Sequence, residues 1–545
     1  MKFSSKKPVL SLLAATLFVG SNALEMQPSF REGNFKNIAF TALVGGSSHH
    51  NWVLSIIDEL GDRGHNVSYL TSTQDTRFGQ PFQNVRTVDI GPEVPYDKVK
   101  VMQDICSGKP PIEIFSKAIP LMTAHYERDY FTYLSYFESN RIDLALCDHF
   151  VEACVDAANT LSIPFIVTST LDYTSEAAAP YINNNMNTMS DYTTEFQSFS
   201  TRFKNKFFVP LDALYKFYPH IKDMMTRKRA IGIEAKFETP ESTWKDSIKL
   251  VNSLFGYTAA RPLGPLSEHI GPIIPKKYKP LTGELEQYFS SHERVAYIAF
   301  GQQAVPSEQN IRLILTGLLE SIEAGTLDGF LWATVNSRGS FPDSITTSSN
   351  TTYNVLDMFS HANPHARMIK WAPQIAILAH PSTAVFVSHG GLGSWYESMY
   401  AGTPMIMFPF FGDQPGNALI IERSGLGGII KSNGPVEDAV ELIKKVVIDE
   451  DDEIKKNVKR IQALTQIHSE HSILRAADVV EEVAYTHKDN KLPHRQTASL
   501  NMPYIKSHNI DLYAALLSLL TGALALAVFI ISKALGAKQI KMKTQ

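Results

Sequence analysis

Short apolar strands alternate with amphipathic helices in two separate blocks of this chain, and this alternation limits the fold more than any other feature. The first block opens with a strand over residues 37–44 and a helix over 52–63, and it resumes at 142–169. The second block runs from 295 to 424. Strands that alternate with helices build parallel sheets covered by helices on both faces. The pattern predicts an α/β protein with two facing αβα domains, and ligands are expected at the carboxyl ends of the strands.

The composition between the two blocks predicts the domain boundaries. A chain of 545 residues exceeds what one hydrophobic core usually serves, and a proline-rich stretch interrupts the pattern ahead of a polar segment. We predict an N-terminal domain over residues 24–271, a linker over 272–290 and a C-terminal domain over 291–486. The stretch 181–238 is polar and aromatic with few strand signals. We interpret it as an insertion that caps a pocket.

Both ends of the sequence carry membrane-targeting signals. Basic residues, an apolar run over 9–20 and the small residues Ser21 and Ala23 predict a signal peptide over residues 1–23. An uncleaved anchor is the alternative, but the apolar run is shorter than the roughly 20 residues that a span requires. Residues 512–532 carry no charge, and they are predicted to form a transmembrane helix.

The residues beside this helix predict its orientation. Lysines in the tail over 533–545 favour a cytosolic tail, which leaves the domains and the connection over 487–511 in the lumen. Lys541 and Lys543 resemble the dilysine retrieval signal of endoplasmic-reticulum membrane proteins, although chance basicity beside a span is the alternative. These signals predict a single-pass membrane protein, and at this point they leave retrieval to the endoplasmic reticulum open. Asn66 and Asn350 begin glycosylation sequons of such a luminal chain, and the second lies in the more polar surroundings.

Charge and cysteine content exclude several classes of protein. A net charge of −4, from 51 basic and 55 acidic residues, gives no field that would attract nucleic acid. The three cysteines, Cys106, Cys147 and Cys154, form neither a disulfide framework nor a CxxC metal spacing. We interpret all three as small buried apolar residues, and no metal site is predicted.

An ordered series of motifs lies between residues 371 and 417 in the second block. It comprises Trp371-Ala372-Pro373-Gln374, Ser388-His389-Gly390-Gly391, Gly393-Ser394, Glu397 and Asp413-Gln414-Pro415-Gly416-Asn417. Together these motifs resemble the signature of the family 1 UDP-glycosyltransferases, and the resemblance covers nearly the whole mature chain. It implies two Rossmann-like domains of the GT-B type, with the acceptor bound by the N-terminal domain and the UDP-sugar by the C-terminal domain.

The resemblance also implies a role for each motif in binding the donor. Trp371, with Ala372 and Gln374 beside it, would face uracil, and Glu397 would accept hydrogen bonds from the ribose hydroxyls. His389, Gly391, Gly393 and Ser394 would hold the diphosphate at a helix N-terminus, where backbone N–H groups favour anions. Gly301 and Gln302, after an earlier strand, would neighbour the phosphates, and Asp413 and Gln414 would bond the sugar.

Several of these residues also have ordinary structural explanations. Ser394 and Glu397 fit a Ser-x-x-Glu capping box, Trp371 alone is more often a core aromatic, and His389 alone is more often a buried histidine. The sequence also departs from the family pattern where relatives carry Asn at position 393 and Ser at position 302. Donor preference is therefore expected to differ, without loss of activity.

Two residues of the first block resemble the catalytic pair of the same family. His49 lies in the loop predicted over 45–50, and Asp148 follows an apolar strand. Imidazole titrates close to neutral pH, so His49 is the expected general base, with His50 as the fallback. Asp148 would orient His49 and stabilise its imidazolium. The alternative role of Asp148 is an N-cap of the next helix.

The resemblance implies an inverting, metal-independent transfer of a hexosyl or glucuronosyl group from a UDP-sugar to a hydroxyl of a small lipophilic acceptor. No cofactor is expected beyond the UDP-sugar co-substrate, and homo-oligomerisation stays open. A nicotinamide-dependent oxidoreductase is disfavoured because no GxGxxG follows the first strand. A non-catalytic nucleotide-sugar-binding membrane subunit is the remaining alternative, and the presence of both His49 and Asp148 argues against it.

Overall fold

The computed structural model describes residues 30–543, with gaps at 44, 94, 96–97, 107–110, 173, 175–176, 183–192, 238, 276 and 336. The predicted signal peptide over 1–23 lies outside the described residues. The chain divides into a unit that ends at Phe35 and a larger unit that begins at Lys36. The described residues of the first unit form a turn over 30–33. Both predicted αβα domains lie within the second unit.

The N-terminal half of the larger unit is built on one parallel sheet. Its described strands are β1 (Asn37–Thr41), β2 (Asn66–Thr71), β3 (Val85–Asp89), β4 (Leu144–Asp148), β5 (Phe165–Ser169), β6 (Ile248–Val251) and β7 (Ser267–His269). The described helices are α1 (Ser47–Asp62), α2 (Lys98–Ile105), α3 (Pro111–Met122), α4 (Tyr126–Ser139), α5 (Glu152–Thr160), α6 (Phe199–Phe203), α7 (Val209–Ala230) and α8 (Pro240–Thr243).

The C-terminal half contains a second parallel sheet and a short hairpin. Its described strands are β8 (Val295–Ala299), β9 (Gly329–Ala333), β10 (Ser344–Thr346), β11 (Thr352–Asn354), β12 (Ala366–Ile369), β13 (Thr383–Ser388), β14 (Met405–Met407) and β15 (Gly427–Ile429). The described helices are α9 (Gly283–Ser290), α10 (Glu308–Glu323), α11 (Val355–Phe359), α12 (Gln374–Leu378), α13 (Leu392–Ala401), α14 (Gln414–Arg423), α15 (Val436–Ile448), α16 (Glu453–Thr486), α17 (Tyr504–Ser507) and α18 (Ile510–Lys543).

The strand order of each sheet contains one reversal. The first sheet runs β3-β2-β1-β4-β5-β6-β7 and the second β12-β9-β8-β13-β14-β15 over the described residues. Neighbouring strands in both sheets are parallel, as in the pairs β1–β4 and β8–β13. In open α/β sheets the crevice at such a reversal is where ligands bind. The reversals therefore point to the loops after β1 and β4, and after β8 and β13. This architecture confirms the predicted fold class.

Burial on both faces explains why the central strands are apolar throughout. Every residue of β8, with the sequence VAYIA, is buried, and so is every residue of β4 and β5. A parallel sheet covered by helices on both sides needs such continuous apolar runs rather than alternation. The largest buried side chains of the C-terminal core are Trp332 and Trp395.

Helix α16 joins the two halves. It begins in the C-terminal half, and its later residues Ala476, Val480 and Val483 lie in the core of the first sheet. Glu481 accepts hydrogen bonds there from Arg63 at 2.5 Å and is 3.0 Å from the His65 ring. The C-terminal part of α16, inside the segment predicted as the C-terminal domain, therefore packs on the N-terminal half.

Cys147 and Cys154 form a disulfide, so the prediction that all three cysteines are unpaired buried residues was wrong for these two. Cys147 is the penultimate residue of β4, and Cys154 lies in the first turn of α5, with 5.8 Å between their Cα atoms. The strand-to-helix turn brings them together although they are seven residues apart. Cys106 is free and half-buried.

The disulfide predicts a simple thiol count. Denatured protein kept under non-reducing conditions should react with one equivalent of a thiol reagent, at Cys106, and with three equivalents after reduction. Mass spectrometry of the alkylated protein measures both numbers. Three reactive thiols without reduction would contradict the pairing.

The C-terminal helix α18 contains a 25-residue apolar stretch, Ile510–Ala534, and an 18-residue window within it has mean hydropathy 2.5. It includes the segment 512–532 that the sequence predicts to be transmembrane, and its most apolar window is not buried against other described residues. By length and composition it is able to cross a bilayer.

Candidate active site

His49 and Asp148 meet at the reversal of the first sheet. Asp148 is the last residue of β4 and is almost completely buried, and His49 lies in the first turn of α1. The His49 Nδ1 atom is 2.9 Å from Asp148 Oδ2. The predicted loop over 45–50 is thus shorter than expected, because α1 begins at Ser47 with Gly46 as N-cap. This geometry fixes Nδ1–H toward the carboxylate and leaves Nε2 as the basic nitrogen.

The second carboxylate oxygen of Asp148 also has a partner. Its Oδ1 atom accepts a hydrogen bond from the Phe150 backbone N–H at 3.1 Å. Helix α5 begins only at Glu152, and its N-cap Val151 makes no side-chain cap. Asp148 is therefore not the N-cap of α5.

Opposing effects set the charge state of this pair. Burial disfavours the imidazolium of His49, but the charge and hydrogen bond of Asp148 outweigh it and raise the pKa of His49 above its ordinary value. Burial likewise disfavours the Asp148 carboxylate, but His49 and His149 hold the pKa of Asp148 well below its usual range. The pair therefore holds an ionised carboxylate beside a histidine that takes up a proton readily.

The neighbouring histidines differ from His49 in surroundings. His50, the fallback candidate, is completely buried and stacks on Phe78. Its Nδ1 atom is hydrogen-bonded to the Tyr69 hydroxyl at 2.6 Å. Burial lowers the pKa of His50 to about 3. His149, which the sequence analysis did not single out, stacks on the His49 ring with 5.2 Å between centroids. Its Nδ1 atom lies 3.2 Å from the Thr168 carbonyl and 3.6 Å from Asp148.

Two glycines before α1 allow the close approach of this loop. Gly45 has φ +100°, and a Cβ there would lie 2.3 Å from the His49 ring. A Cβ on Gly46 would lie 3.5 Å from the side-chain oxygen of Gln302, which follows β8. The loop before α1 in the N-terminal half therefore faces the loop after β8 in the C-terminal half.

His389 occupies the corresponding position at the reversal of the second sheet. It follows β13, and its ring lies against Gly301 and Gly391, where added Cβ atoms would be 3.0 Å and 2.5 Å from Nε2. Burial lowers the pKa of His389 to about 4, although the Ala299 backbone nearby opposes the change. Gly391 is the N-cap of α13. The loop therefore brings together an imidazole N–H group and the backbone N–H groups of a helix N-terminus. Both kinds of group can donate hydrogen bonds to an anion.

The contact between Gly391 and His389 predicts an effect on UDP binding. Gly391 has ordinary extended backbone angles, so Gly391→Ala strains no dihedral, but its Cβ forces the His389 ring to move. We expect UDP to bind at least about tenfold more weakly, which is ~1.4 kcal/mol. Gly339→Ala, where a Cβ meets open space, is the matched control. Calorimetry giving equal Kd values for both variants would contradict this arrangement.

Gln374, Ser394 and Glu397 form one hydrogen-bonded group. The Gln374 amide nitrogen donates to Ser394 Oγ at 3.2 Å and to Glu397 Oε2 at 2.7 Å, and Tyr297 donates to its oxygen at 3.3 Å. No side chain caps α13, so Ser394 and Glu397 do not form the capping box that their spacing allows. Gly393 lies in the same turn, is exposed, and has open space where a Cβ would stand.

Burial raises the pKa of Glu397 to about 7, while the Gln374 hydrogen bond opposes the rise. Only the ionised carboxylate accepts from two ribose hydroxyls at once. If Glu397 binds the ribose, UDP binding below pH 7 must supply the cost of removing its proton, about 1.4 kcal/mol per pH unit. We expect calorimetric UDP affinity to fall from pH 8 to pH 6 by a larger factor than in Glu397→Gln, which retains any dependence due to the phosphates. Equal pH dependence in both proteins would contradict this role.

The remaining predicted donor residues lie at the same edge of the second sheet. Trp371 follows β12 and is 64% exposed, so its ring face is open, whereas Ala372 beside it is buried. Trp371 is thus not the core aromatic that the sequence left as the alternative.

Asp413 and Gln414 begin α14, and their side chains have different surroundings. Gln414 is buried, and its oxygen accepts from the backbone N–H groups of Phe410 and Phe411 at 2.9 and 3.1 Å. Asp413 accepts from Asn417 at 2.7 Å, and Asn417 also donates to the Gly390 carbonyl at 2.8 Å. Asn417 therefore ties Asp413 to the His389 loop, a role that the motif alone did not indicate.

His49 in the N-terminal half and Asp413 in the C-terminal half influence each other's pKa. Burial raises the pKa of Asp413, and the charge of His49 opposes that rise. Asp413 in turn helps to raise the pKa of His49. Residues that stand more than three hundred positions apart in the sequence are thus close enough for their charges to interact.

Among the described residues, His49, Asp148 and His149 also offer ligand atoms within 4.8 Å of one another. Two imidazoles and a carboxylate are a ligand set suited to a divalent transition metal. The same atoms make the hydrogen bond between His49 and Asp148, so a bound ion would compete with that bond.

Comparison with known proteins agrees with this geometry. The family model for UDP-glucoronosyl and UDP-glucosyl transferase matches residues 127–543. UDP-glycosyltransferase stmC of Aspergillus ustus is 30% identical over 397 residues, which cover 69% of this chain and 73% of that protein. UDP-glucuronosyltransferase 2B7 of Homo sapiens is 24% identical over 542 residues, covering 94% of each chain.

Solved structures show the same fold at low identity. The crystal structure of UDP-glucose: anthocyanidin 3-O-glucosyltransferase in complex with UDP has a TM-score of 0.57 and 19% identity, covering 82% of this chain and 99% of that one. The calicheamicin glycosyltransferase CalG4 has a TM-score of 0.51. With two GT-B-type domains and a family match over most of its length, this chain belongs to the UDP-glucoronosyl and UDP-glucosyl transferase family and is a glycosyltransferase that uses a UDP-sugar.

Proposed function

We propose that this protein transfers a hexosyl or glucuronosyl group from a UDP-sugar to a hydroxyl of a small lipophilic acceptor, with inversion of the anomeric configuration and without a metal ion. The observation that carries the proposal is the 2.9 Å contact of His49 Nδ1 with the buried Asp148 carboxylate, facing the donor-side loops. A binding subunit has no need of a base held in one tautomer beside an ionised partner.

The proposed reaction is a single displacement. The acceptor hydroxyl gives its proton to His49 Nε2 as its oxygen forms a bond to the anomeric carbon, and the bond between that carbon and the UDP oxygen breaks on the opposite face. Asp148 stabilises the imidazolium that forms. Proton removal by a base with a pKa near the working pH supports the attack of an otherwise weak nucleophile.

The donor-side loops would carry the charge of the departing UDP. Backbone N–H groups at the start of α13 and the ring of His389 surround the expected diphosphate position. Trp371 offers its exposed face to uracil, and Glu397 accepts from the ribose. Asp413 would bond a sugar hydroxyl. Since these groups neutralise or disperse the phosphate charge, we expect transfer to proceed in the presence of a chelator.

The arginines that could recognise a glucuronate carboxylate are in part already paired. Arg227 forms an ion pair with Glu127, and Arg261 is buried beside Asp172, with 3.1 Å between Nη2 and Oδ2. Arg202 lies in the exposed helix α6. A donor with a neutral hexose and one with glucuronate therefore both remain within the proposal, and a donor panel distinguishes them.

We further propose that the domains lie in the lumen of the endoplasmic reticulum, anchored by α18 with a cytosolic tail. The apolar stretch Ile510–Ala534 and the lysines beyond it support this topology. An acceptor that partitions into lipid suits a catalytic domain held at a membrane.

A transfer assay tests the proposal. Full-length protein in lipid nanodiscs is given UDP-glucose, UDP-galactose, UDP-xylose or UDP-glucuronate with one phenolic acceptor, with and without EDTA. The expected result is an acceptor adduct of the transferred sugar's mass, a β-linkage from the α-linked donor by NMR, and no loss with EDTA. UDP binding without any adduct would favour the non-catalytic nucleotide-sugar-binding subunit instead.

A further inference from the structure

Helices α6 and α7, with the π-helical turn Lys204–Phe208 between them, present a stripe of exposed aromatic and aliphatic side chains. Phe199 is 74% exposed and Tyr215 is 81% exposed. We call this surface the aromatic stripe, and it consists of Phe199, Phe203, Phe207, Phe208, Leu211, Leu214, Tyr215 and Tyr218. Large apolar side chains of a folded domain are rarely left uncovered in such a row.

The spacing places these side chains along one face of the helix. Successive members are one, three or four residues apart, which is the pattern of an amphipathic helix that buries its apolar side. In this helix the residues buried by the protein are Met224 and Lys228, near the C-terminal end of α7. Lys228 is fixed there by ion pairs with Glu152 and Asp156. Over the described residues, the N-terminal part of the helix therefore directs its apolar face to the outside.

The charges around the stripe are mainly positive. Residues 199–222 contain five basic side chains and one acidic side chain, Asp212, which pairs with Lys216 at 3.0 Å. The exposed basic residues Arg202, Lys204 and Lys206 lie between the phenylalanines. Aromatic rings interleaved with lysine and arginine suit the boundary between acyl chains and anionic headgroups. A protein partner with a matching apolar groove would not need this positive charge.

The connection to α18 keeps the half that carries the stripe near the proposed membrane span. After α16 the chain is fixed to the N-terminal half: Lys491 pairs with Asp246 at 2.7 Å, and Arg495 donates to the Pro265 carbonyl at 2.9 Å. Gln496 donates to the Asp246 carbonyl at 3.1 Å, only 14 positions before Ile510. Fourteen residues reach at most about 50 Å when fully extended. The N-terminal half is therefore tethered within about a domain's width of the bilayer.

We propose that the aromatic stripe docks on an anionic lipid bilayer, with its rings and leucines at the acyl boundary and the neighbouring lysines and arginine against phosphate headgroups. This inference depends on the membrane anchor in the proposed function and is independent of the sugar-transfer chemistry. Docking would hold the N-terminal half, which carries His49, against the phase from which a lipophilic acceptor comes.

Site-directed fluorescence in the full-length protein tests the docking. A Cys106→Ser background removes the free thiol, and Leu211→Cys places an environment-sensitive label on the stripe. Ile467→Cys, on an α16 position that is 69% exposed, is the matched control. Both proteins are reconstituted in vesicles of phosphatidylcholine and phosphatidylserine with brominated acyl chains. The expected result is a blue shift and quenching of the label at 211, and neither at 467.

A charge-reversal variant separates docking from general proximity. Lys204→Glu with Lys206→Glu changes two exposed side chains, so the fold should be retained, and thermal unfolding verifies it. We expect this variant to lose most of the lipid quenching at 211 in anionic vesicles. Equal quenching at 211 and 467, or quenching unaffected by the charge reversal, would overturn the proposal.

Three further outcomes would also overturn it. A blue shift at 211 that depends on protein density and occurs without lipid quenching would assign the stripe to contact with a second copy of the chain. If carbonate extracts the protein from the vesicles, the proposed anchor is absent, and the docking proposal is then rejected as well. Retention in the membrane without quenching at 211 would reject the docking alone and leave the anchor and the sugar transfer intact.

Discussion

Replacement of His49 by Ala is expected to lower kcat by about 10²–10⁴-fold, the usual contribution of a positioned general base. The KM for the UDP-sugar should change little, because the donor is expected on the loops of the C-terminal half. Steady-state kinetics with saturating donor and a phenolic acceptor measures both constants. The effect should be largest for acceptors whose hydroxyl holds its proton at the assay pH.

Binding measurements separate this loss from damage to the fold. His49 lies in the first turn of α1 and is partly exposed, so its removal leaves the core of α1, including Trp52 and Leu60, unchanged. UDP should therefore bind the His49→Ala variant with a Kd within about twofold of the unmodified protein, which is ~0.4 kcal/mol. Near-normal turnover by a variant that binds UDP normally would remove His49 from the role of base.

Replacement of Asp148 by Asn is expected to produce a comparable loss, with a shift in the pH profile. The ionised carboxylate raises the pKa of His49, and the base acts in its neutral form, so activity should rise with pH through that pKa. Removing the negative charge lowers the pKa of His49, which moves the rising limb of kcat to lower pH. An amide can also stabilise the unproductive tautomer, so the plateau should fall by about 10²–10⁴-fold as well.

The double variant tests whether the two residues act as one unit. Groups that cooperate in one proton transfer give losses that are far from additive, so the variant that lacks both His49 and Asp148 should be little slower than the slower single variant. Two results would contradict the pairing seen at 2.9 Å. One is a loss of kcat in the double variant equal to the product of the two single losses, and the other is a pH profile that is the same in Asp148→Asn as in the unmodified protein.

Periodicity predicted the fold because the apolar pattern of a long or fully buried element identifies it as a helix or a strand. The strand predicted over 37–44 and the helix predicted over 52–63 correspond to β1 and α1, although β1 ends earlier and α1 begins earlier than expected. Short edge strands were missed. Strand β7 has three residues, Ser267–His269, all polar, and its structure depends on pairing with β6 rather than on its own composition.

Motif order predicted which donor-side residues lie near one another, but not which contacts they make. Glu397 and Ser394 fit a helix cap by spacing, and only the fold brings Gln374 to them. The fold places His149 on the His49 ring, whereas Asn417 reaches Asp413 because the two residues are four positions apart at the start of α14. Gly45 carried a usable signal, since glycine ahead of a helix often marks close approach of backbone and side chain.

The cysteine interpretation failed for a related reason. A count of three suggested no paired framework, yet Cys147 and Cys154 flank the turn from β4 into α5 and bring their side chains together. A pair seven residues apart across a predicted strand–helix turn was the available signal. The disulfide encloses Asp148, so the carboxylate proposed to orient His49 lies inside a covalently closed loop.

The dependence of the His49→Ala defect on acceptor acidity tests the proposed chemistry most directly. A series of substituted phenols with pKa values spanning the assay pH is compared at saturating donor, and the ratio of kcat/KM between unmodified protein and variant is plotted against acceptor pKa. If His49 removes the acceptor proton, the ratio falls toward one for phenols that are already ionised. A ratio that stays equally large across the series would contradict general-base catalysis by His49.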